Sequence, residues 1–219
     1  MNKKFAIAIP AVILVIGIAI AYQMITERRI LPVYSPSQLN PDLVDKELRN
    51  VKRNHRIPNF ELIDQNGNVF SEKNLEDKFY VTDFFFTTCP TICIDMGKQL
   101  MRVQDKYKDL ADFKIISHTV QPEIDSVPVL LEYAKLHDAI SDKWIFLTGD
   151  KRTIYELARK AYFAATTEGD GGVDDFIHTE NFILVDKEKR IRGYYDGTSE
   201  TDVDRLIQDI AILNQEYED

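Results

Sequence analysis

The chain has 219 residues, 44% hydrophobic and 29% charged, a balance that places it among folded globular proteins and excludes disorder along its whole length. Nine glycines, eight prolines and two cysteines exclude collagenous, low-complexity and disulfide-framework classes. A net charge of −9, from 36 acidic and 27 basic residues with no basic stripe, excludes a dedicated nucleic-acid surface, because phosphates need clustered Lys and Arg.

After a flank at residues 1–4, residues 5–25 run without a charge. A bilayer core of roughly 30 Å needs about 20 helical residues, so this run is expected to be one transmembrane anchor. Ala19-Ile20-Ala21 and the basic Lys3 and Lys4 would also suit a cleaved signal peptide. Signal cores are only about 7–15 residues long, which favours the anchor. Lys3 and Lys4 balance Arg28 and Arg29, so charge alone leaves the orientation undecided. Residues 26–56, with Pro32, Pro36 and Pro41, read as a tether holding one short helix at 41–51, opened by Asn40 and Pro41. The folded domain is expected over 57–219.

Within it, residues 60–63 and 69–70 flank an Asn66-Gly67 pair, which supplies the positive φ angles of a β-hairpin turn. The apolar run 79–86 predicts a strand buried on both faces of a parallel sheet. Met96, Leu100, Val103 and Tyr107, at three- and four-residue steps, predict an amphipathic helix. The alternation continues with strand 113–117, helix 127–137, strand 144–147 and helix 151–163. Residues 166–175, rich in glycine and carboxylates, read as a polar loop. A second hairpin, 182–185 with 191–195, and a helix over 200–213 close the chain. This order predicts an α/β, thioredoxin-like fold: a mixed central sheet flanked by helices, with an added N-terminal hairpin.

The only cysteines, Cys89 and Cys93, fall where the buried strand meets the amphipathic helix. With Pro90 at the first helical position, both would lie at a helix N-terminus, whose free N–H groups favour thiolates. Four residues apart, they can share a metal ion or close a disulfide. C-x-x-x-C differs from the C-x-x-C of dithiol reductases. Two soft thiolates suit Cu(I) or Zn and need a third ligand. His178, just before strand 182–185, is the first candidate, because that loop neighbours the strand-to-helix junction in a thioredoxin fold. His118 is the reserve, and His55 and His137 are expected at the surface. Thioredoxins carry a cis-proline before that strand, and Ile177-His178-Thr179-Glu180 has none. Asp83, six residues before Cys89, suits either proton transfer or a satisfied structural hydrogen bond. Met96 fits core packing better than thioether ligation.

Asp83-Phe84-Phe85-Phe86-Thr87-Thr88-Cys89-Pro90-Thr91-Ile92-Cys93 resembles the signature of the Sco/SenC family of membrane-anchored copper proteins. Gln121-Pro122-Glu123-Ile124-Asp125 is similar to the family's D-P-x-x-D segment, and the likeness extends through Phe146-Leu147-Thr148-Gly149 to Ile177-His178-Thr179. Gln121 in place of Asp, and Ile94 in place of the usual Pro, depart from the pattern. The resemblance implies copper held by Cys89, Cys93 and His178, with Cu(I) preferred and Cu(II) possible. It also implies delivery of copper to, or thiol preparation for, the dinuclear copper site of cytochrome c oxidase. The implied partners are the copper-site subunit of that oxidase and a thiol reductant or copper donor. The domain would stand on the periplasmic or outer side of the membrane. Such a protein is a metallochaperone rather than a turnover enzyme; the alternative is a membrane-tethered thiol-disulfide oxidoreductase using a reversible Cys89–Cys93 disulfide.

Overall fold

The computed structural model describes residues 14–18, 29–38, 44, 55–165, 172 and 175–218. The chain divides into two compact units, Met1–Ile30 and Leu31–Asp219. In the first, residues 14–18 are helical; the rest of the expected anchor at 5–25 lies outside the described residues. Among the described residues no helix is long and apolar enough to cross a membrane.

The second unit is built on a seven-stranded mixed sheet of order β2-β1-β5-β4-β3-β6-β7. Its strands are β1 (Glu61–Asp64), β2 (Val69–Ser71), β3 (Phe79–Phe85), β4 (Phe113–Thr119), β5 (Trp144–Thr148), β6 (Asn181–Val185) and β7 (Ile191–Asp196). Strands β3, β4 and β5 are parallel, and both hairpins pair antiparallel at the flanks. The expected hairpin forms, but of the Asn66-Gly67 pair only Gly67 takes a positive φ, +82°; Asp64 Oδ1 closes the turn by accepting from the N–H of Asn66 and Asn68 at 2.8 Å each. Gln65 then fastens this hairpin to β5, donating to Trp144 O at 3.2 Å and accepting from Phe146 N at 3.0 Å.

All seven residues of β3 are buried, as a central parallel strand requires. Side-chain alternation sorts them. Phe79, Val81 and Phe85 join a core with α1 (Ile92–Tyr107) and α4 (Glu200–Tyr217), whereas Tyr80 and Phe84 face a second core containing Ile154, Tyr162 and Ile177. The first half of α1 carries β-branched Ile92 and Ile94 and Gly97, all poor helix formers by a few tenths to about 1 kcal/mol. Burial of Met96, Leu100 and Val103 contributes about 1.5–3 kcal/mol each, so packing, not propensity, holds this helix. Helix α2 spans Val127–Leu136.

Three details depart from expectation. The helix predicted at 151–163 is α3 (Lys151–Glu156) running into a π-turn, Leu157–Ala161, closed by Tyr162 N to Leu157 O at 2.8 Å. His137 is buried against Tyr133 and Trp144, with ring centroids at 4.5 and 5.7 Å, and His55 is half-buried, donating to Ala161 O at 2.7 Å. Neither is the surface histidine its polarity suggests. The expected tether also docks in part: Leu31 is buried, Tyr34 N donates to Ile191 O at 2.9 Å, and Arg192 binds the carbonyls of Leu31 and Pro32. Within this unit the segment packs from Leu31 onward, because the prolines stiffen it into an extended strap whose carbonyls meet a buried guanidinium. The predicted helix at 41–51 lies outside the described residues except Val44, which is buried.

Candidate thiol and metal site

Cys89 and Cys93 are both free, buried thiols in the core beneath α1. Helix α1 begins later than the sequence predicts, at Ile92, with Thr91 as its N-cap at φ −133°, ψ −98°. Cys89 therefore sits outside the helix, in a turn closed by its own N–H to Phe86 O at 3.2 Å, and Cys93 is the second helical residue. The turn, not a shared helical face, brings the two sulfurs into contact.

Their electrostatics differ. Burial alone would raise the Cys89 thiol, but the backbone N–H groups of Cys93 and Thr91, with the Cys93 thiol and the Thr91 hydroxyl, outweigh it and hold Cys89 below the ordinary thiol range. The Thr91 Oγ1 lies 4.0 Å from that sulfur. Burial pushes Cys93 up to about 12, only partly offset by a hydrogen bond to the Phe86 backbone. Cys89 is thus the more acidic thiol of the pair and Cys93 the less acidic, although both are buried.

The loop ahead of Cys89 is held by the segment 121–125. Asp125, fully buried, accepts from Thr87 N at 3.2 Å, from Thr87 Oγ1 at 2.5 Å and from Thr119 Oγ1. Gln121 Oε1 accepts from Thr88 Oγ1 at 3.1 Å. The amide oxygen at 121 thus supplies an acceptor just as a carboxylate would, and the segment's visible work is internal support for the cysteine loop. No local period in the sequence announces a bond spanning 38 residues.

Asp83 lies on the thiol side of β3 and accepts from Ser117 Oγ, its register partner on β4; Ser117 in turn accepts from Trp144 Nε1 at 2.8 Å. Burial raises the Asp83 carboxyl to about 7 against the downward pull of Ser117. Met96 is packed in the core and serves as a hydrophobe.

The histidines separate cleanly. His118, next along β4 from Ser117, points to the opposite face, stacked on Phe84 at 5.0 Å with Nδ1 3.1 Å from Thr82 Oγ1. The sheet stands between it and the cysteines, which removes it as a reserve ligand. His178 is exposed, with its ring 6.3 Å from that of Phe86, the residue whose carbonyl closes the Cys89 turn. Among the described residues no three His, Cys, Asp or Glu side chains are close enough to hold a metal: the Cys89 and Cys93 thiols hydrogen-bond one another, and His178 is exposed near the Phe86 ring without being grouped with them. Two soft thiols in contact suit a soft monovalent ion better than a hard cation.

The SCO1/SenC family model matches residues 49–214, three quarters of the chain. The chain belongs to the SCO1/SenC family. Among SCO1/SenC relatives it is 33% identical over 159 residues to the SCO1 protein homolog of Bacillus subtilis, covering 72% of this chain and 82% of that protein. Its fold is similar to that of BsSco, described as a member of the Sco family of cytochrome c oxidase assembly proteins with a disulfide switch, at TM-score 0.62 and 32% identity over 73% of this chain and 94% of that one. It is also similar to Arabidopsis thaliana ScoI, solved with copper bound, at TM-score 0.57 and 29% identity, covering 74% and 99%. The thioredoxin-like architecture expected of a SCO1/SenC protein is the one observed.

Proposed function

We propose that this chain binds copper through Cys89, Cys93 and His178 and either delivers it to, or prepares the thiols of, the dinuclear copper site of cytochrome c oxidase. The observation that carries this reading is the contact between the chain's only two cysteines at a strand-to-helix turn closed by the Phe86 carbonyl, with the exposed His178 imidazole near the ring of the same Phe86. Cu(I) accepts low coordination numbers and soft donors, whereas structural zinc takes four ligands. The copper-bound ScoI and the oxidase-assembly role stated for BsSco support the same assignment. The apolar run 5–25 would hold the domain to a membrane as a single-pass anchor, with the site on the periplasmic or outer side.

A second reading, a tethered thiol-disulfide oxidoreductase, is favoured by the split acidity of the pair, since an acidic attacking thiol beside a buried resolving thiol suits exchange. Anaerobic Cu(I) titration against a chromophoric Cu(I) chelator separates the two. The reduced protein takes up one tight equivalent, Cys89→Ser, Cys93→Ser and His178→Ala each abolish tight retention, and His118→Ala keeps it. Wild-type retention by His178→Ala would sink the ligand set. Turnover of disulfides by a protein that takes up no Cu(I) would instead establish the oxidoreductase.

A further inference from the structure

His178 is reached by a segment tied down on both sides. Three residues before it, Asp175 receives both terminal nitrogens of Arg159, Nη1 to Oδ2 and Nη2 to Oδ1, each at 2.6 Å. This fork is nearly buried, with the two side chains 10% and 8% exposed. Tyr155 Oη lies 3.1 Å from Asp175 O and 2.9 Å from Val120 O, sharing its proton between them. One residue after His178, Thr179 Oγ1 donates to Ala164 O at 2.6 Å, and Ile177 is buried in the second core. The segment Asp175–Thr179 therefore has fixed ends, and His178 projects from it into solvent beside Phe86.

Arg159 comes from the π-turn that ends α3, where the widened backbone re-aims the side chains that follow. Its guanidinium also lies 5.3 Å from the centre of the Tyr155 ring, so both anchors of Asp175 are packed against each other. Through Val120, Tyr155 is tied to the start of the 121–125 segment that supports Thr87 and Thr88. The two loops carrying the three proposed ligands thus share one framework, and a planar, bidentate guanidinium is the member that fixes the histidine side in orientation as well as position.

We infer that Arg159, through its bidentate pair with Asp175, is a positioning residue that fixes the segment presenting His178, the proposed third ligand, to copper. This rests on His178 being a ligand, as proposed above. Preordering one donor raises its effective concentration at the metal without touching the metal itself, and outer-shell supports of this kind typically affect metal affinity by 10- to 100-fold.

The test is a double-mutant cycle on the full chain, read as Cu(I) affinity by competition with a chromophoric chelator. Arg159→Met should weaken affinity about tenfold, and Arg159→Lys, which keeps the charge but not the fork, should recover only part of it. In a His178→Ala background, where the weaker binding left to the two thiolates is read against a lower-affinity chelator, Arg159→Met should change nothing further, since its whole effect passes through the imidazole. An equal loss in both backgrounds, or no loss at all, would overturn the positioning role while leaving the ligand set intact. Wild-type affinity in His178→Ala alone would overturn the ligand assignment and the inference together. Because Arg159→Met takes the guanidinium away from a buried carboxylate, Arg159→Met/Asp175→Leu is made in parallel; it removes both charges and should show the same dependence on His178.

Discussion

Asp83 and Ser117 face each other across the β3–β4 ladder, and the serine hydroxyl donates to a carboxyl that burial holds at about 7 instead of the ordinary 3.8. Beneath two thiols of unequal acidity, this gives the site a proton-holding group on the same sheet face.

The sign of its contribution to stability follows. The folded state holds the Asp83 proton more tightly than the unfolded chain, so the associated stability is fully present below about pH 4 and is lost as the pH rises through about 7. At about 1.4 kcal/mol per pKa unit, ionised Asp83 costs the fold up to about 4 kcal/mol above that range. Asp83→Asn should therefore gain about 2–4 kcal/mol relative to wild type between pH 4.5 and 8.5, measured by urea unfolding of the reduced proteins. Parallel pH profiles for the two proteins would contradict the raised carboxyl.

The thiol pair should react in order. At pH 7.5, limiting iodoacetamide should label Cys89 well before Cys93, because Cys89 is held below the ordinary thiol range while burial pushes Cys93 up to about 12. Peptide mass mapping reads this directly, and Cys89→Ser should be nearly inert on the same timescale. Equal labelling of both positions would remove the asymmetry.

Much of the framework was legible because its signals are local. The run at 79–86 and the spacing Met96, Leu100, Val103, Tyr107 predict β3 and α1 within a residue or a turn, and Asn66-Gly67 predicts its hairpin. What remained hidden depends on long-range pairing. That His118 faces away from the cysteines follows only once β4 extends to Thr119 and fixes the phase of its alternation. Asp125 and Arg159 act across gaps of 38 and 16 residues that no periodicity marks. The start of α1 at Ile92 reflects the turn at Phe86–Cys89, which Pro90 alone does not reveal.

Gly97 and His137 form a close contact between α1 and the end of α2: a Cβ at 97 would overlap the His137 ring, lying 2.9 Å from Nδ1. Alanine gains about 1 kcal/mol of helix propensity over glycine, whereas overpacking costs about 1–3 kcal/mol. Gly97→Ala should thus lower stability by about 1–2 kcal/mol in wild type, yet raise it in a His137→Ala background where the ring is gone. Chemical denaturation of the four proteins checks the reversal of sign; the same sign in both backgrounds would show that the ring is not the obstacle.

The strap at Leu31–Ser35 sets where the chain can be cut. Arg192, buried on β7, pairs with Asp186 at 3.2 Å and Glu216 at 2.6 Å and also takes the carbonyls of Leu31 and Pro32. Leu31 N returns a bond to Glu216 at 2.8 Å, and Tyr34 packs edge-on to Tyr194 at 5.7 Å. Burying Leu31 contributes about 1.5–3 kcal/mol, and each buried donor left without its acceptor costs about 1–3 kcal/mol more. A chain beginning at Arg49 should therefore be less stable than one beginning at Arg29 by about 3–5 kcal/mol, even though every strand and long helix is intact. Copper affinity should not follow. Val185, beside this hub, is in register with Tyr80 at the start of β3, whereas the cysteines follow its far end, so the strap and the site occupy opposite ends of the sheet. Unfolding midpoints and Cu(I) competition on both chains decide it: equal stability would show that the strap is only a tether, and a matching loss of copper affinity would show that the two ends are coupled.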